Sequence, residues 1–319
     1  MSWEGSLSCT RPWRTCCRLA FFSCCPATRA YHKAQRSGPA ATTVLWPELA
    51  FSVTDIEEAG QLANWLALNR SQIGSLELEC RPAQYYRSGR ATKAEVTAQL
   101  PQLTLLLLGM LSGGSVHSLD LESHFEVNLG NWLRALPQLE SLSIKAAKLT
   151  IGASLSQLQG LTSLRLCCVE CFKWDAPVRG QHYFSLPQDA LPHTLEALSL
   201  QHFVGSTLPL QTMPALPALC SLELHFPKDG SLQLGWLSAY TQLTNLQLHG
   251  CTLPQVPVEL TMLTALEELA LESAGMKGGE SVLEPLSALK QLTQLSLAEN
   301  CLEGVPAAVL SLPALQVGL

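Results

Sequence analysis

Charged and aromatic side chains are scarce in this 319-residue sequence. Charged residues make up 14% and aromatic residues 6% of it, whereas apolar residues make up 47%. So much apolar side chain excludes an intrinsically disordered chain, because its burial offsets the entropy that is lost on ordering. The formal net charge of −6 also indicates that the protein does not bind nucleic acid, whose phosphates require a basic surface.

Long hydrophobic runs and catalytic motifs are also missing. The most apolar run, Leu103–Leu111, has about half the ~20 residues that a bilayer-spanning helix needs, so no membrane span is predicted. The sequence contains no G-x-S-x-G, H-E-x-x-H, P-loop or G-x-G-x-x-G motif. We therefore predict that the protein is not an enzyme and that it binds no cofactor.

The 12 cysteines follow no pattern that is typical of disulfides or of zinc. Five of them lie within the first 25 residues, and the others are scattered. Cys168 and Cys171 form one C-x-x-C pair, but no second pair follows at zinc-finger spacing. We interpret the cysteines as reduced thiols of an intracellular, cytoplasmic protein, with a cytoskeletal, ciliary or organellar location left open.

One pattern dominates the rest of the sequence. L-x-x-L-x-L, with Ile or Val in place of some leucines, occurs nine times, and five of the eight steps between units span 22–24 residues. The last two leucines of a unit are two residues apart, so on a strand they face the same side. One unit cannot bury them alone, whereas stacked units form a parallel sheet around a shared core. The units begin at Ile73, Val116, Leu139, Leu161, Leu195, Leu219, Leu243, Leu266 and Leu292.

The segment Val256–Leu271 shows the repeat most clearly and reads V-P-V-E-L-T-M-L-T-A-L-E-E-L-A-L. It resembles the L-P-x-x-L-x-x-L-x-x-L-x-x-L-x-L unit of intracellular leucine-rich repeat proteins, which have about 23 residues per repeat. The resemblance implies an α/β leucine-rich repeat solenoid, or horseshoe, with a concave parallel sheet and short helices or 3-10 turns on the convex side. It also implies a non-catalytic scaffold for protein–protein interaction.

The turn asparagine of this family is present only at Asn300, in the last complete unit. In the family this side chain satisfies backbone groups of the turn, so its absence elsewhere predicts irregular turns. The corresponding positions hold Arg81, His124, Ala147, Val169, Phe203, Pro227, Cys251 and Ala274.

An alternative function comes from the N-terminal segment. Val44–Leu49, with the sequence V-L-W-P-E-L, resembles the tail of an F-box module, which precedes leucine-rich repeats in many plant and algal proteins. Trp13–Leu19 is loosely similar to another stretch of that module, although its opening L-P-x-x-L helix is missing. This resemblance implies a substrate receptor of a cullin ubiquitin ligase, with the ligase adaptor as a partner and the repeats holding the substrate.

These features predict three segments. Residues 1–47 carry six basic groups and one acidic group, and we assign them to a cysteine-rich segment that is a disordered leader, a transit peptide or an F-box remnant. Residues 48–72 are assigned to an N-terminal capping helix, in which Thr54 and Glu57 form a capping box. Residues 73–319 form the solenoid of about nine repeats. A tenth repeat begins at Leu315 and is truncated, so we expect further sequence or a partner to cover this end.

The polar residues that alternate with the leucines of each unit supply the candidate partner-binding residues of the concave face. A solvated face without a ligand is the simpler alternative. An insertion at residues 172–193 adds Trp174, Tyr183 and Phe184, whose alternative role is packing on the convex side. The partner is expected to be a protein, of unknown identity. The candidates on the face are Glu77, Glu79, Asp120, Glu122, Arg165, His225, His249, Glu268 and Glu272.

His225 and His249 occupy matching positions in neighbouring units. On adjacent strands they would lie close enough to share a metal ion or to respond to pH. The simpler interpretation is two solvated histidines, and on that interpretation we predict no metal site.

Overall fold

The computed structural model of the chain describes residues 46–53, 56–80, 107–151, 155–168, 186, 190–201, 216–231, 234–305, 307–310 and 312–316. Residues 1–45 of the predicted leader, Thr54 of the capping box and the three insertion aromatics (Trp174, Tyr183 and Phe184) lie outside the described residues. The strand-forming part of every predicted repeat is described.

A parallel sheet of ten strands runs through the described residues, and its strands follow one another in chain order. Each strand pairs in parallel with the next, so the chain returns to the same end of the sheet after every strand. The strands are β1 (Trp46–Val53), β2 (Ile73–Cys80), β3 (Ser118–Leu129), β4 (Ser141–Ile151), β5 (Ser163–Cys168), β6 (Ala197–Gln201), β7 (Ser221–Ser231), β8 (Asn245–Thr252), β9 (Glu268–Glu272) and β11 (Gln294–Ser296). A second, two-stranded parallel sheet joins β10 (Lys277–Gly278) to β12 (Cys301–Leu302).

The leucine pattern sets the register of the large sheet. Leu76, Leu119 and Leu142 lie opposite one another, and the same row continues strand by strand to Leu295. The leucines of this row are at most 2% exposed as far as Leu269, and the row two residues further along is completely buried over the same strands. A parallel sheet around a shared leucine core confirms the predicted leucine-rich repeat solenoid.

A chain of backbone hydrogen bonds joins the residues that precede the strands. The N–H of His117 donates to the carbonyl of Gly74 at 2.8 Å, and the N–H of Glu140 donates to the carbonyl of His117 at 2.7 Å. Each repeat is therefore bonded to the previous one before its strand begins, and the last of these bonds lies beyond β11. The same bond recurs at 2.7–2.9 Å from Thr162, Glu196, Cys220, Thr244, Glu267, Thr293 and Gln316.

The sheet begins one strand earlier than the repeat pattern predicts. Strand β1 pairs with β2 and includes residues 48–53, which the sequence analysis assigns to the capping helix; helix α1 (Ile56–Asn69) follows it. Alternate residues of β1 face the core, because Leu49 and Val53 are 9% and 2% exposed and the Phe51 ring lies 5.6 Å from that of Trp65 on α1. This alternation lacks the leucine spacing of the repeats, so the repeat pattern does not reveal it.

Short 3-10 helices form most of the described connections on the convex side. Each of the longer ones buries a leucine, for example Leu133, Leu237 and Leu260, which are at most 1% exposed. A 3-10 turn suits the three-residue spacing of the leucines in these connections. None of the helices in the described part of the chain is both long and apolar enough to cross a bilayer. The 3-10 helices are Arg70–Gln72, Asn131–Ala135, Leu155–Gln157, Gly235–Ala239, Val258–Met262, Glu280–Val282 and Glu284–Ala288, and α2 is Ala307–Leu310.

Asn300 makes the turn bonds that the family resemblance implies. Its Oδ1 accepts hydrogen bonds from the backbone N–H groups of Ala274 and Met276 at 3.1 and 3.2 Å. Its Nδ2 donates to the carbonyl oxygens of Leu271 and Leu297 at 2.7 and 2.9 Å. One side chain thus satisfies backbone groups of two adjacent repeats.

Where other residues replace this asparagine, two pairs of strands continue through the turn. Strands β3 and β4 pair as far as Ser123, shift register, and pair again from Glu126 onwards. Strands β7 and β8 shift register in the same way between His225 and Gly230. His124, Ala147 and Pro227, which replace the asparagine, lie between the paired stretches, so these are irregular turns of the kind that the sequence predicts.

Replacing Leu222 with alanine should strongly destabilise the protein. This side chain is 1% exposed and lies between the aligned leucines of β6 and β8. Its loss leaves a cavity that three repeats share, and such substitutions cost about 2–5 kcal/mol. Urea unfolding followed by circular dichroism measures the change. The control is Leu68→Ala, because Leu68 is 79% exposed, and equal shifts of the two midpoints would contradict the shared core.

Replacing Asn300 with alanine should also destabilise the protein, although Asn300 is not apolar. The substitution leaves the N–H groups of Ala274 and Met276 without their acceptor. Each buried group that loses its partner costs about 1–3 kcal/mol. Asn128→Ala is the matched control, since Asn128 is exposed. An Asn300→Ala variant with the urea midpoint of Asn128→Ala would show that the turn does not depend on this side chain.

Candidate functional site

Every second side chain of the ten-stranded sheet points away from the leucine core and forms what we call the concave face. Glu77 is exposed there, whereas Leu76 and Leu78 on either side of it are completely buried. The register aligns these polar side chains in rows that cross the strands. All the predicted partner-binding residues outside the insertion lie in these rows, namely Glu77, Glu79, Asp120, Glu122, Arg165, His225, His249, Glu268 and Glu272.

An acidic patch covers the first three strands of this face. Glu77 lies in register with Asp120, and Glu79 lies in register with Glu122. Like charges directly opposite each other on neighbouring strands repel. Lys145 on β4 marks the border of the patch, with its Nζ 3.0 Å from Oε1 of Glu122. The patch consists of Glu48, Glu77, Glu79, Asp120 and Glu122.

The centre of the face is basic and contains a buried thiol. Lys145 and Arg165 lie on β4 and β5, and Cys167 lies next to Lys145 in the register. Burial raises the pKa of the Cys167 thiol, although the charges of Lys145 and Arg165 act in the opposite direction. A thiol that stays protonated is a poor nucleophile and a poor metal ligand. This region therefore offers positive charge rather than thiol chemistry.

Four side chains form what we call the histidine cluster: Glu223, His225, His249 and Glu272. The two imidazole rings are stacked, with centroids 4.1 Å apart and an interplanar angle of 24°. Nε2 of His225 lies 2.6 Å from Oε1 of Glu223, and Nδ1 of His249 lies 3.2 Å from Oε2 of Glu272. The side chains of His225 and His249 are only 28% and 21% exposed. Each ring is thus partly buried and paired with a carboxylate.

The contacts within the cluster shift the pKa of Glu223 and the pKa of His249. The hydrogen bond from His225 lowers the pKa of Glu223 to about 2, so this carboxylate is ionised near neutral pH. Nε2 of Gln201 also donates to Oε1 of Glu223, at 2.9 Å. Burial lowers the pKa of His249, and the charge of His225 lowers it further, while Glu272 opposes both effects. The neutral imidazole of His249 is favoured as a result.

Glu223 is the member of the cluster that the sequence analysis does not single out. It stands two residues before His225 on β7, and residues two apart on a strand share a face. This two-residue spacing is the feature of the sequence that could have identified Glu223 as a neighbour of His225. Whether the two side chains meet depends on their rotamers, which the spacing does not determine.

The carboxylates at the C-terminal end of the face are bound by neighbouring side chains. Glu268 accepts hydrogen bonds from Asn245 and, at 3.3 Å, from Nε2 of Gln294. Oε1 of Glu272 accepts a hydrogen bond from the hydroxyl of Ser296 at 2.5 Å. These acidic residues therefore accept hydrogen bonds from uncharged side chains on the adjacent strands.

An apolar surface lies beside β11, the last strand of the sheet. It encloses a shallow cavity of about 220 Å³, which is lined by Leu295 of β11, by Val309 and Leu310 of α2, and by Leu297, Val305, Leu315 and Gln316. Val305 and Leu310 in its wall are 39% and 55% exposed. This end of the sheet presents apolar side chains to solvent.

Comparison with known proteins shows the fold. No protein-family model matches the sequence, and no curated protein matches it either. The structure is similar to that of an internalin (inlF) from Listeria monocytogenes, with a TM-score of 0.51 and 16% identity over 83% of this chain and 70% of that chain. The likeness supports the solenoid that the register and the leucine core define.

Two further solved structures are similar over a smaller part of their own length. One is the leucine-rich repeat ectodomain of the Arabidopsis receptor kinase HAESA in complex with a peptide hormone, with a TM-score of 0.46, 22% identity and coverage of 65% of this chain. The other is the PEPR1–AtPEP1 structure, with a TM-score of 0.43, 19% identity and coverage of 85% of this chain. The match covers 34% of each of those chains.

Exchanging Glu272 for glutamine should lower the pKa of His249 further, because the carboxylate raises that pKa by its charge and its hydrogen bond. Exchanging His225 for asparagine should raise the same pKa, because the charge of His225 lowers it. NMR titration of the His249 ring protons measures both shifts. Glu267→Gln, at an exposed glutamate just before β9, is the control. Shifts of the same sign in the two variants would contradict the arrangement of the cluster.

Proposed function

We propose that the protein is a non-catalytic protein-interaction scaffold whose acidic patch binds a basic segment of a partner protein. The observation that carries this proposal is the register of β2 and β3, which places Glu77 beside Asp120 and Glu79 beside Glu122. Carboxylates that face one another raise the free energy of the folded chain. A basic ligand relieves this repulsion, so the patch suits a complex better than it suits the chain alone.

The scaffold beneath the patch holds these charges in place. The strand residues that flank Glu77 and Asp120 are leucines, at most 1% exposed, which fix the backbone on both sides of each carboxylate. A face that is ordered before binding loses little conformational entropy when a ligand arrives. Glu122 forms an ion pair with Lys145. The attraction for a basic ligand is therefore centred on the exposed side chains of Glu77 and Asp120.

The alternative, a substrate receptor of a cullin ubiquitin ligase, depends on residues 1–47. The structure describes only Trp46 and Pro47 of these, and both belong to β1. The two functions share the concave face as the surface that holds a protein ligand. They differ in whether the N-terminal segment binds the ligase adaptor, and the intracellular location remains a prediction of the sequence under both.

Reversing two charges of the acidic patch tests the first proposal. The double variant Glu77→Lys, Asp120→Lys should bind a Lys/Arg-rich peptide about tenfold more weakly than the unchanged chain, which corresponds to about 1.4 kcal/mol. Fluorescence anisotropy with a labelled basic peptide, at several salt concentrations, measures the affinity. Binding by the unchanged chain should weaken as the salt concentration rises, because the attraction is between exposed charges.

The control is the double variant Glu259→Lys, Glu284→Lys, which makes the same change in net charge on the convex 3-10 helices. Equal affinities of the two double variants would reject the acidic patch as the binding surface. A pull-down of the ligase adaptor with the full chain, and with the chain lacking residues 1–45, tests the alternative. Adaptor that is retained by the full chain alone would favour the ubiquitin-ligase receptor.

A further inference from the structure

The histidine cluster contains a set of metal-ligating atoms that the proposed function does not use. Glu223, His225 and His249 each offer one ligand atom, and these three atoms lie within 4.8 Å of one another. Two imidazoles and a carboxylate are a common set of three protein ligands for zinc, which leaves a fourth position open. We propose that these three side chains bind a divalent transition-metal ion of the zinc type on the concave face.

The ligands are carried by two paired strands of the sheet. His225 and His249 lie opposite each other on β7 and β8, and Leu224 and Leu248 before them are completely buried. Gly250 follows His249 with a φ of 71°, and a Cβ there would lie 2.8 Å from the Phe226 carbonyl oxygen. The two strands therefore approach each other closely just beyond the histidines, and the ligand positions are set by the sheet rather than by a loop.

The distances suit a zinc site after small side-chain movements. Bonds of about 2.0–2.2 Å in a tetrahedral site place ligand atoms about 3.3 Å apart. The pair formed by Glu223 and His225 is closer than this, at 2.6 Å, and no pair in the set is further apart than 4.8 Å. Rotations about side-chain bonds cover both differences. Each of the three side chains is 21–28% exposed, so an ion from solvent can reach them.

The residues around the ligands favour the metal-binding form. Oε2 of Glu272 lies 3.2 Å from Nδ1 of His249, and a proton donated there leaves the lone pair of Nε2 free for a metal. Nε2 of Gln201 donates to Oε1 of Glu223, the same oxygen atom that lies 2.6 Å from Nε2 of His225. Carboxylates or amides that orient ligands in this way are the usual second layer of a metal site.

Charge is also balanced in the presence of a divalent ion. Imidazole binds a metal as the neutral ring, so the two histidine ligands add no charge to the site. Glu223 and Glu272 together contribute two negative charges, which a divalent cation neutralises. Imidazole and carboxylate donors without a thiolate select zinc, cobalt, nickel or copper rather than calcium or magnesium.

This site is independent of the proposed basic-segment binding. The acidic patch lies on β1–β3, whereas the ligands lie on β7 and β8, so that four strand spacings, or roughly 19 Å, separate β3 from β7. Failure of the metal proposal leaves the acidic patch unaffected, and the reverse also holds.

Metal uptake by the full chain tests the proposal. The chain is reduced, stripped with a chelator and titrated with Zn²⁺ by calorimetry and with Co²⁺ by visible absorption. The unchanged chain should take up one equivalent more than the variant His225→Ala, His249→Ala. The difference spectrum for Co²⁺ should lack the thiolate charge-transfer band that cysteine ligands produce. The control is the double variant His117→Ala, His124→Ala, which also loses two histidines. Its metal uptake should equal that of the unchanged chain, because both residues are exposed and lie outside the cluster.

Two glutamate variants test the roles of individual residues. Glu223→Gln should weaken binding because it removes the anionic ligand. Glu272→Gln should weaken it by about 10–100-fold, the usual effect of losing a residue that orients a ligand. Equal uptake by the unchanged chain and by His225→Ala, His249→Ala would overturn the proposal. So would an unchanged affinity in both glutamate variants. Unchanged urea midpoints would show that a loss of uptake is not a loss of folding.

Discussion

The burial of leucines that are shared between neighbouring repeats is the constraint on which the rest of this structure depends. A strand of this sheet has two inward leucines, and one repeat offers too little surface to cover them. The row from Leu76 to Leu269 is covered only because each leucine lies between two others. Register, strand order and the position of every side chain on the concave face follow from this contact, since a slip by one residue would turn the leucines outward.

The concave face is a product of that register rather than of any single repeat. Residues that are more than twenty positions apart in the sequence become neighbours because their strands are aligned. Glu77 meets Asp120 across one pair of strands, and His225 meets His249 across another. Each of these pairs therefore needs two repeats. Its chemistry is decided by which residues stand between the leucines at matching positions.

Much of this arrangement could be predicted from the sequence, and the exceptions have physical causes. The nine repeat strands were predictable because their leucines have both a local spacing and a long period. Strand β1 was not, since Leu49 and Val53 alternate without that period, and only their pairing with β2 reveals the strand. The neighbourhood of the two histidines was predictable from repeat alignment. Their carboxylate partners were not, because spacing fixes the face of a residue but not its rotamer.

The two acidic regions of the face show how similar composition produces different chemistry. In the acidic patch Glu77 lies opposite Asp120, so these two carboxylates repel each other and attract an external cation. At the other end the neighbours of Glu268 and Glu272 are Asn, Gln, Ser and His, which donate hydrogen bonds. These carboxylates already accept hydrogen bonds from their neighbours. Their effect is to orient the side chains around the stacked imidazoles, so that lone pairs are available for a metal ion. The same scaffold therefore supports a long-range electrostatic surface in one place and a short-range coordination site in another. The difference is set by the residues that neighbouring repeats place side by side.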